Sequence, residues 1–170
     1  MPTTQPDRTG LDEVDLRLIA ALGQDAEMTN KALAHRLGLA ESTCAYRLRA
    51  MRDRGVIAGR RLVVDHAALG YPLQAIVKVR LGSHDEAGVT RLYEALVGAP
   101  GVLQAFFMSG ADDFHLHVAV RDAEALRDLV LHHVTRHRLV RQTETRLVFE
   151  VREGVGALGG AGAGAGVRRR

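Results

Sequence analysis

The sequence predicts an α+β chain in two parts: three short helices with a hairpin, then a βαββαβ sheet domain. Three observations carry this. Apolar residues recur at helical spacing three times before residue 55. From Leu73 the period changes to two, and four strand runs, three of them alternating, are interrupted by two helical stripes. Gly70-Tyr71-Pro72 stands as a hinge between the two regimes.

Residues 1–10 hold two prolines and little apolar material, so a disordered arm is expected. Asp12 suits a helix N-cap, and Asp15 three residues later favours the positive helix end. Val14, Leu18 and Leu22, flanked by Leu11 and Ile19, give the first helix its apolar face. Thr29 caps a shorter helix carrying Leu33 and Leu37, which Gly38 stops. A third helix runs from about Ala40 to Arg54 with Cys44, Leu48 and Met51 inward, and Gly55 at its C′ position. Val56 to Asp65 is expected to be a short β-hairpin turning near Gly59-Arg60-Arg61. Three helices with a tight Leu37-Gly38-Leu39 turn and a following hairpin make a winged helix-turn-helix. The second helix of such a pair enters the DNA major groove.

In the second part, Leu73, Ala75, Val77, Val79 and Leu81 alternate with polar neighbours. Val89, Leu92, Tyr93, Leu96 and Val97 form a helical stripe, broken by Pro100-Gly101. Val102 to Ser109 is a strand, Gly110 to Asp113 a turn, and Phe114, Leu116, Val118 and Val120 line a third strand. Leu126, Leu129, Val130, His133 and Val134 form a second stripe, and Thr143, Thr145, Leu147, Phe149 and Val151 alternate along a last strand. This βαββαβ order is that of ferredoxin-like domains. From residue 154 the chain is Gly/Ala-rich and ends in Arg168, Arg169 and Arg170, a composition expected to be disordered. The expected divisions are therefore an arm at 1–10, a DNA-binding domain at 11–65, a linker at 66–72, a sheet domain at 73–153 and a tail at 154–170.

The 170 residues are 46% hydrophobic and 25% charged, as in soluble globular chains. No apolar run approaches the ~18 residues of a membrane span, and Met1 to Gly10 lacks a signal core, so a cytoplasmic location is expected. Cys44 is the only cysteine, which rules out an intrachain disulfide. The net charge of +3 is unevenly spread. Segment 12–27 sets five carboxylates against Arg17, whereas 42–61 sets Arg47, Arg49, Arg52, Arg54, Arg60 and Arg61 against Asp53. That basic block can meet phosphates. With Cys44, Leu48 and Met51 inward, Ser42, Thr43, Tyr46 and Arg47 are the candidate base readers. Arg49, Arg52, Arg60 and Arg61 are placed for phosphates, which fix register without reading sequence.

Eight histidines invite a metal reading. His115 and His117 share a strand face, and His133 and His137 lie at i, i+4, but no Cys or carboxylate cluster completes either pair, so no metal and no cofactor is expected. Phosphate-loop, dinucleotide, zinc-protease and serine-hydrolase motifs are absent. His115 and His117 alternate with apolar residues and so occupy the other face of the sheet, near Lys78, Arg80 and Arg146. Like charges there would oppose their protonation, unless those cations pair instead with Glu144 or Glu150.

Residues 11–152 resemble the leucine-responsive/asparagine-operon (Lrp/AsnC, feast/famine) regulators. The motifs that carry the resemblance are Leu11-Asp12-Glu13-Val14-Asp15, Leu33 through Leu39, Cys44 through Met51, Gly55-Val56-Ile57-Ala58-Gly59, and Ser109-Gly110 followed by Asp113-Phe114. The resemblance implies a sequence-specific DNA-binding transcriptional regulator, not an enzyme. It also implies dimers packed sheet to sheet, often assembled to octamers, with an amino acid or related metabolite bound near the loop between strands two and three. Met108, Ser109, Gly110, Ala111, Asp112, Asp113 and Phe114 are the expected effector residues, with Asp113 taking the α-ammonium and Phe107, Met108 and Phe114 reading the side chain. If that sheet face meets a partner, histidine protonation below about pH 6 is expected to loosen the dimer. Two positions depart from the family pattern. Ala40 stands where Ser is usual, leaving Ser42 or Thr43 to cap a shorter helix, and Ala111 replaces an acidic residue common in relatives. Two other readings remain open: an effector-independent architectural DNA binder, and a sirohaem-decarboxylase-like enzyme, with which Asp65-His66 is compatible although the chain has no Trp.

Overall fold

The computed structural model describes residues 10–83, 85–154, 156 and 158; the expected arm before Gly10 and nearly all of the expected tail lie outside the described residues. Contacts divide the chain into two compact units, one built on the residues up to Leu62 and one on Val63–Val151.

The first unit holds α1 (Glu13–Gln24), α2 (Asn30–Leu37) and α3 (Glu41–Asp53). Asp12 and Asp15 start α1 with a reciprocal capping box, each carboxylate accepting the other's backbone N–H. Thr29 Oγ1 caps α2 through the Ala32 amide at 3.2 Å. Gly38, at φ 67°, takes the left-handed turn that aims α3 away from α2. No side chain caps α3. Its first turn closes directly from Ala40, whose carbonyl accepts the Cys44 amide at 3.0 Å. The shorter helix capped by Ser42 or Thr43 is therefore not formed. Leu18, Leu33, Cys44, Leu48 and Met51 meet in the core of this unit.

The expected hairpin at 56–65 is absent: the segment has no strand pairing. Val56 and Ile57 pack on the helical core, but Leu62 and Val63 are exposed. An isolated two-stranded ribbon with no face to bury is marginal in water, which accounts for the unpaired backbone. A single capped turn follows. Asp65 Oδ1 accepts the Ala67 and Ala68 amides, and Gly70 (φ 87°) ends the turn before β1.

The second unit holds β1 (Leu73–Leu81), α4 (Glu86–Val97), β2 (Val102–Phe107), β3 (Phe114–Val120), α5 (Ala123–Leu129) running into a π-helix (Val130–Thr135), and β4 (Val140–Val148). The sheet is antiparallel in the order β2-β3-β1-β4. One face packs Ala75, Val77, Val79, Phe114, Leu116 and Val118 against Leu92 and Leu96 of α4 and Leu126, Leu129 and Val134 beyond. The opposite face carries Lys78, His115, His117, Glu144 and Arg146.

Of the second stripe, Leu126, Leu129 and Val134 are buried and Val130 and His133 half-buried, and its latter half runs through the π-helix. One expectation shifts here. The last strand stops at Val148, and Leu147, Phe149 and Val151 are exposed. β4 is an edge strand, and its alternation is not matched by a covering helix at that end.

Candidate functional site

On α3 the outward residues can be placed by angle. At about 100° per residue, Tyr46 lies nearly opposite the buried line of Cys44, Leu48 and Met51, whereas Arg47 sits about 65° from its centre. The structure agrees. Tyr46 is 75% exposed, and Ser42 and Thr43 are exposed beside it. Arg47 instead folds back onto α1. Its Nη1 donates to Asp12 Oδ2 at 2.6 Å and to Asp15 Oδ1 at 2.9 Å. Asp15 is the one buried charged residue among those described. The ion pair therefore ties the recognition helix to α1, and the expectation of Arg47 as a free base reader is corrected. The amide of Asp15 and then the Arg47 guanidinium hold the Asp12 carboxyl below its ordinary range.

Arg49 is largely exposed and lies 3.9 Å from Asp53 one turn on, a weak solvent-screened pair. Arg52, Arg60 and Arg61 are exposed. Arg49 and Arg52 follow Tyr46 one and two turns further along α3, and the two remaining cations follow in the unpaired segment.

The strand-two to strand-three loop divides its expected residues between two roles. Met108, Ser109, Gly110 and Ala111 are exposed, and Gly110 (φ 126°) has nothing within 4 Å of where a Cβ would stand. Phe114 is different: it is fully buried and stacked on Tyr93 at 5.5 Å between ring centroids. It cannot line a ligand, and this corrects its expected role. Asp113 is also committed to the fold. Its Oδ2 accepts the Leu81 amide at 2.7 Å, where the β1–β4 register slips between Arg80 and Leu81, so its carboxylate satisfies a donor at the bulge.

Asp112 turns toward the open sheet face. Lys78 Nζ lies 2.6 Å from Asp112 Oδ2 and 3.5 Å from Glu144 Oε2, and His115 Nε2 is 3.3 Å from the same Asp112 oxygen. Lys78, then His115, holds the Asp112 carboxyl below its ordinary range, and Arg146 does the same for Glu144. Arg80 Nε donates to the Ala111 carbonyl at 2.6 Å. These groups border a cleft of about 270 Å³. Sequence reading missed Lys78 and Glu144 as its walls. They are 66 residues apart in the chain (144 less 78), and only the β1–β4 register, which opposes Lys78 to Glu144, brings them together.

Of the two arrangements open for the cations around His115 and His117, the pairing with Glu144 is the one found. The cations are answered by carboxylates, and a carboxylate stands beside His115. The His117 imidazole is pushed below its ordinary range by burial first and by His66 second. The unfolded chain thus takes up this proton first as pH falls, so the contribution of His117 is fully present above about pH 6.5 and is lost below it. His117→Gln is expected to flatten the fall in melting temperature between pH 7 and pH 5. An unchanged slope in thermal melts would remove His117 from the account. No group of three or more His, Cys, Asp or Glu is gathered for a metal among the described residues.

A model described as the Lrp/AsnC ligand binding domain matches residues 74–153, and one described as winged helix-turn-helix DNA-binding matches residues 11–58. The transcriptional regulator AldR of Mycobacterium tuberculosis is 42% identical over 140 residues, covering 82% of this chain and 78% of its own.

The chain belongs to the Lrp/AsnC family.

Among solved structures of Lrp/AsnC regulators, the crystal structure of M. tuberculosis AldR superposes with a TM-score of 0.70 at 37% identity, over 84% of this chain and 97% of that one. A Neisseria meningitidis regulator solved in complex with L-Met has the same fold, with a TM-score of 0.77 at 23% identity over 85% and 93% of the two chains. The chain is thus a DNA-binding transcriptional regulator with a helix-turn-helix unit and a ligand-binding sheet domain. No helix among the described residues is long and apolar enough to cross a membrane.

Proposed function

We propose that this Lrp/AsnC regulator reads a specific DNA site through Ser42, Thr43 and Tyr46 and changes its binding when an amino acid or related metabolite occupies the sheet domain. The observation that carries the DNA half is the exposed outward face of α3, where Ser42, Thr43 and Tyr46 stand clear of the core and Arg49 and Arg52 follow them along the helix. Residues 11–65 serve as the reader and 73–153 as the sensor and assembly domain. The chain works in the cytoplasm, without a cofactor, as a homodimer assembling to an octamer. Two heads per dimer then set half-sites about one helical turn, or a multiple of it, apart.

Support for the effector half lies in the exposed Ser109–Ala111 backbone beside the cleft walled by Lys78, Asp112 and Glu144. That cleft offers both a cation for an α-carboxylate and carboxylates for an α-ammonium. The L-Met bound to the Neisseria regulator of the same fold supports the ligand class. Thermal-shift titration with the twenty amino acids tests it. At least one is expected to raise the melting temperature of the wild type, and Asp112→Ala is expected to reduce that rise. Asp113→Ala should lower the melting temperature of the ligand-free chain, because it strands the Leu81 amide. If no amino acid shifts the wild type, the effector reading fails.

Arg60 and Arg61 supply backbone contacts. Arg60→Ala or Arg61→Ala is expected to weaken selected and random duplexes alike, and to reduce the slope of log affinity against log salt by about one. A change confined to the selected duplex, measured by fluorescence anisotropy, would contradict this division of labour.

A further inference from the structure

The sheet domain has a second cavity, at the end of the sheet away from the Ser109–Asp113 loop. It is an open cleft of about 510 Å³ among the capped turn after Asp65, the start of β2, the end of β3, α5 and the π-helix. That is within the size range of small-ligand sites. Leu69, Tyr71, Leu103 and Leu129 supply apolar wall, and Leu69 and Tyr71 are 60% and 45% exposed toward it and solvent. Five of its lining residues are polar: Arg121 is the one permanent cation, His66, His132 and His133 add imidazoles, and Asp128 is the one carboxylate.

Two backbone features border this cavity. Gly101, at φ 88°, lies on its floor, where a Cβ would stand 3.1 Å from both the Ala119 carbonyl and Leu129 Cδ1. The π-helix Val130–Thr135 places His132 and His133 at the rim while Val134 goes to the core. Single π-turns cluster at functional sites because they re-aim side chains at a cost in helix regularity.

We propose that this cavity is a second ligand site, specific for a small organic carboxylate with an apolar body. The Arg121 guanidinium pairs with the carboxylate, the imidazoles donate to it, and the Leu69–Tyr71–Leu129 wall takes the aryl or branched alkyl group. An uncharged analogue leaves Arg121 without its anion. This site is distinct from the proposed amino-acid cleft, since the two share no residue.

The test is calorimetric titration of the full chain with 3-phenylpropionate and 4-methylpentanoate, with 3-phenylpropionamide as the uncharged control. At least one carboxylate is expected to bind, with the amide at least tenfold weaker. Arg121→Gln is expected to weaken the carboxylate at least tenfold and to leave the Asp112-dependent amino-acid shift unchanged. Leu69→Glu, on the exposed wall, is expected to abolish binding with the fold intact by circular dichroism. The proposal is overturned if neither carboxylate binds at millimolar concentration. It is equally overturned if the amide binds as well as the acid, or if Arg121→Gln binds like the wild type. Failure here leaves the amino-acid reading standing, because that reading is judged on the Asp112→Ala shift alone.

Discussion

Phe114→Ala is expected to destabilise the sheet unit by about 3–5 kcal/mol, a large part of the 5–15 kcal/mol that holds an ordinary domain folded. The ring is fully buried at the start of β3, stacked on Tyr93 and in contact range of Phe107 at 5.0 Å between centroids. Truncation removes the transfer energy of the ring and leaves a void under three strands that the rigid sheet cannot collapse. Urea denaturation followed by far-ultraviolet circular dichroism should show the loss with no ligand present. Near-wild-type stability combined with altered amino-acid preference would return Phe114 to the effector site.

The second large effect is at Arg47. Arg47→Ala leaves Asp15 as a buried carboxylate without its cation, and uncompensated buried charges are strongly destabilising. The helix-turn-helix unit should melt earlier, and Arg49→Ala, which removes only a solvent-screened pair, should barely move it. Asp15→Asn should rescue much of the Arg47→Ala loss, because it removes the stranded charge, and a double-mutant cycle measures that coupling. Below about pH 4 the difference between wild type and Arg47→Ala should shrink. Asp12 has its carboxyl held low in the fold, so its contribution is present above the ordinary carboxylate range and lost as pH falls through it. A variant that melts like wild type yet loses only sequence discrimination would restore Arg47 as a base reader.

The order of elements was legible because each rests on local signals. Asp12, Thr29, Gly38 and Gly55 act through bonds within a few residues, and strand alternation in β1 and β3 records burial directly. The misses share a different cause. Gly59-Arg60-Arg61 supplies turn chemistry, but a hairpin also needs a surface to pack on, and Leu62 and Val63 find none. The π-helix after Leu129 packs against β4 and α4, contacts that no residue pattern within Val130–Thr135 announces. At the candidate sites, exposure of Ser42, Thr43 and Tyr46 follows from helix geometry. The capture of Arg47 by α1 was half visible: its angle set it at the rim of the buried face, and the start of α1 is acidic. Asp113 and Phe114 stand side by side in a motif that suggests ligand contact. Their partners, Leu81 and Tyr93, come from distant strand and helix, so sequence adjacency could not show that both serve the fold.

The most direct measurement is fluorescence anisotropy of the full chain on a duplex selected from random oligonucleotides and on its scrambled counterpart, at physiological salt, with Tyr46→Ala alongside. The selected duplex is expected to bind at least ~10³-fold tighter than the scrambled one. Tyr46→Ala is expected to lose about tenfold or more on the selected duplex only, the size of one good base contact. The amino acid that stabilises the sheet domain should change the selected-site affinity by about fivefold or more. Equal affinity for both duplexes, or a Tyr46→Ala loss shared equally between them, would contradict specific reading through the outward face of α3.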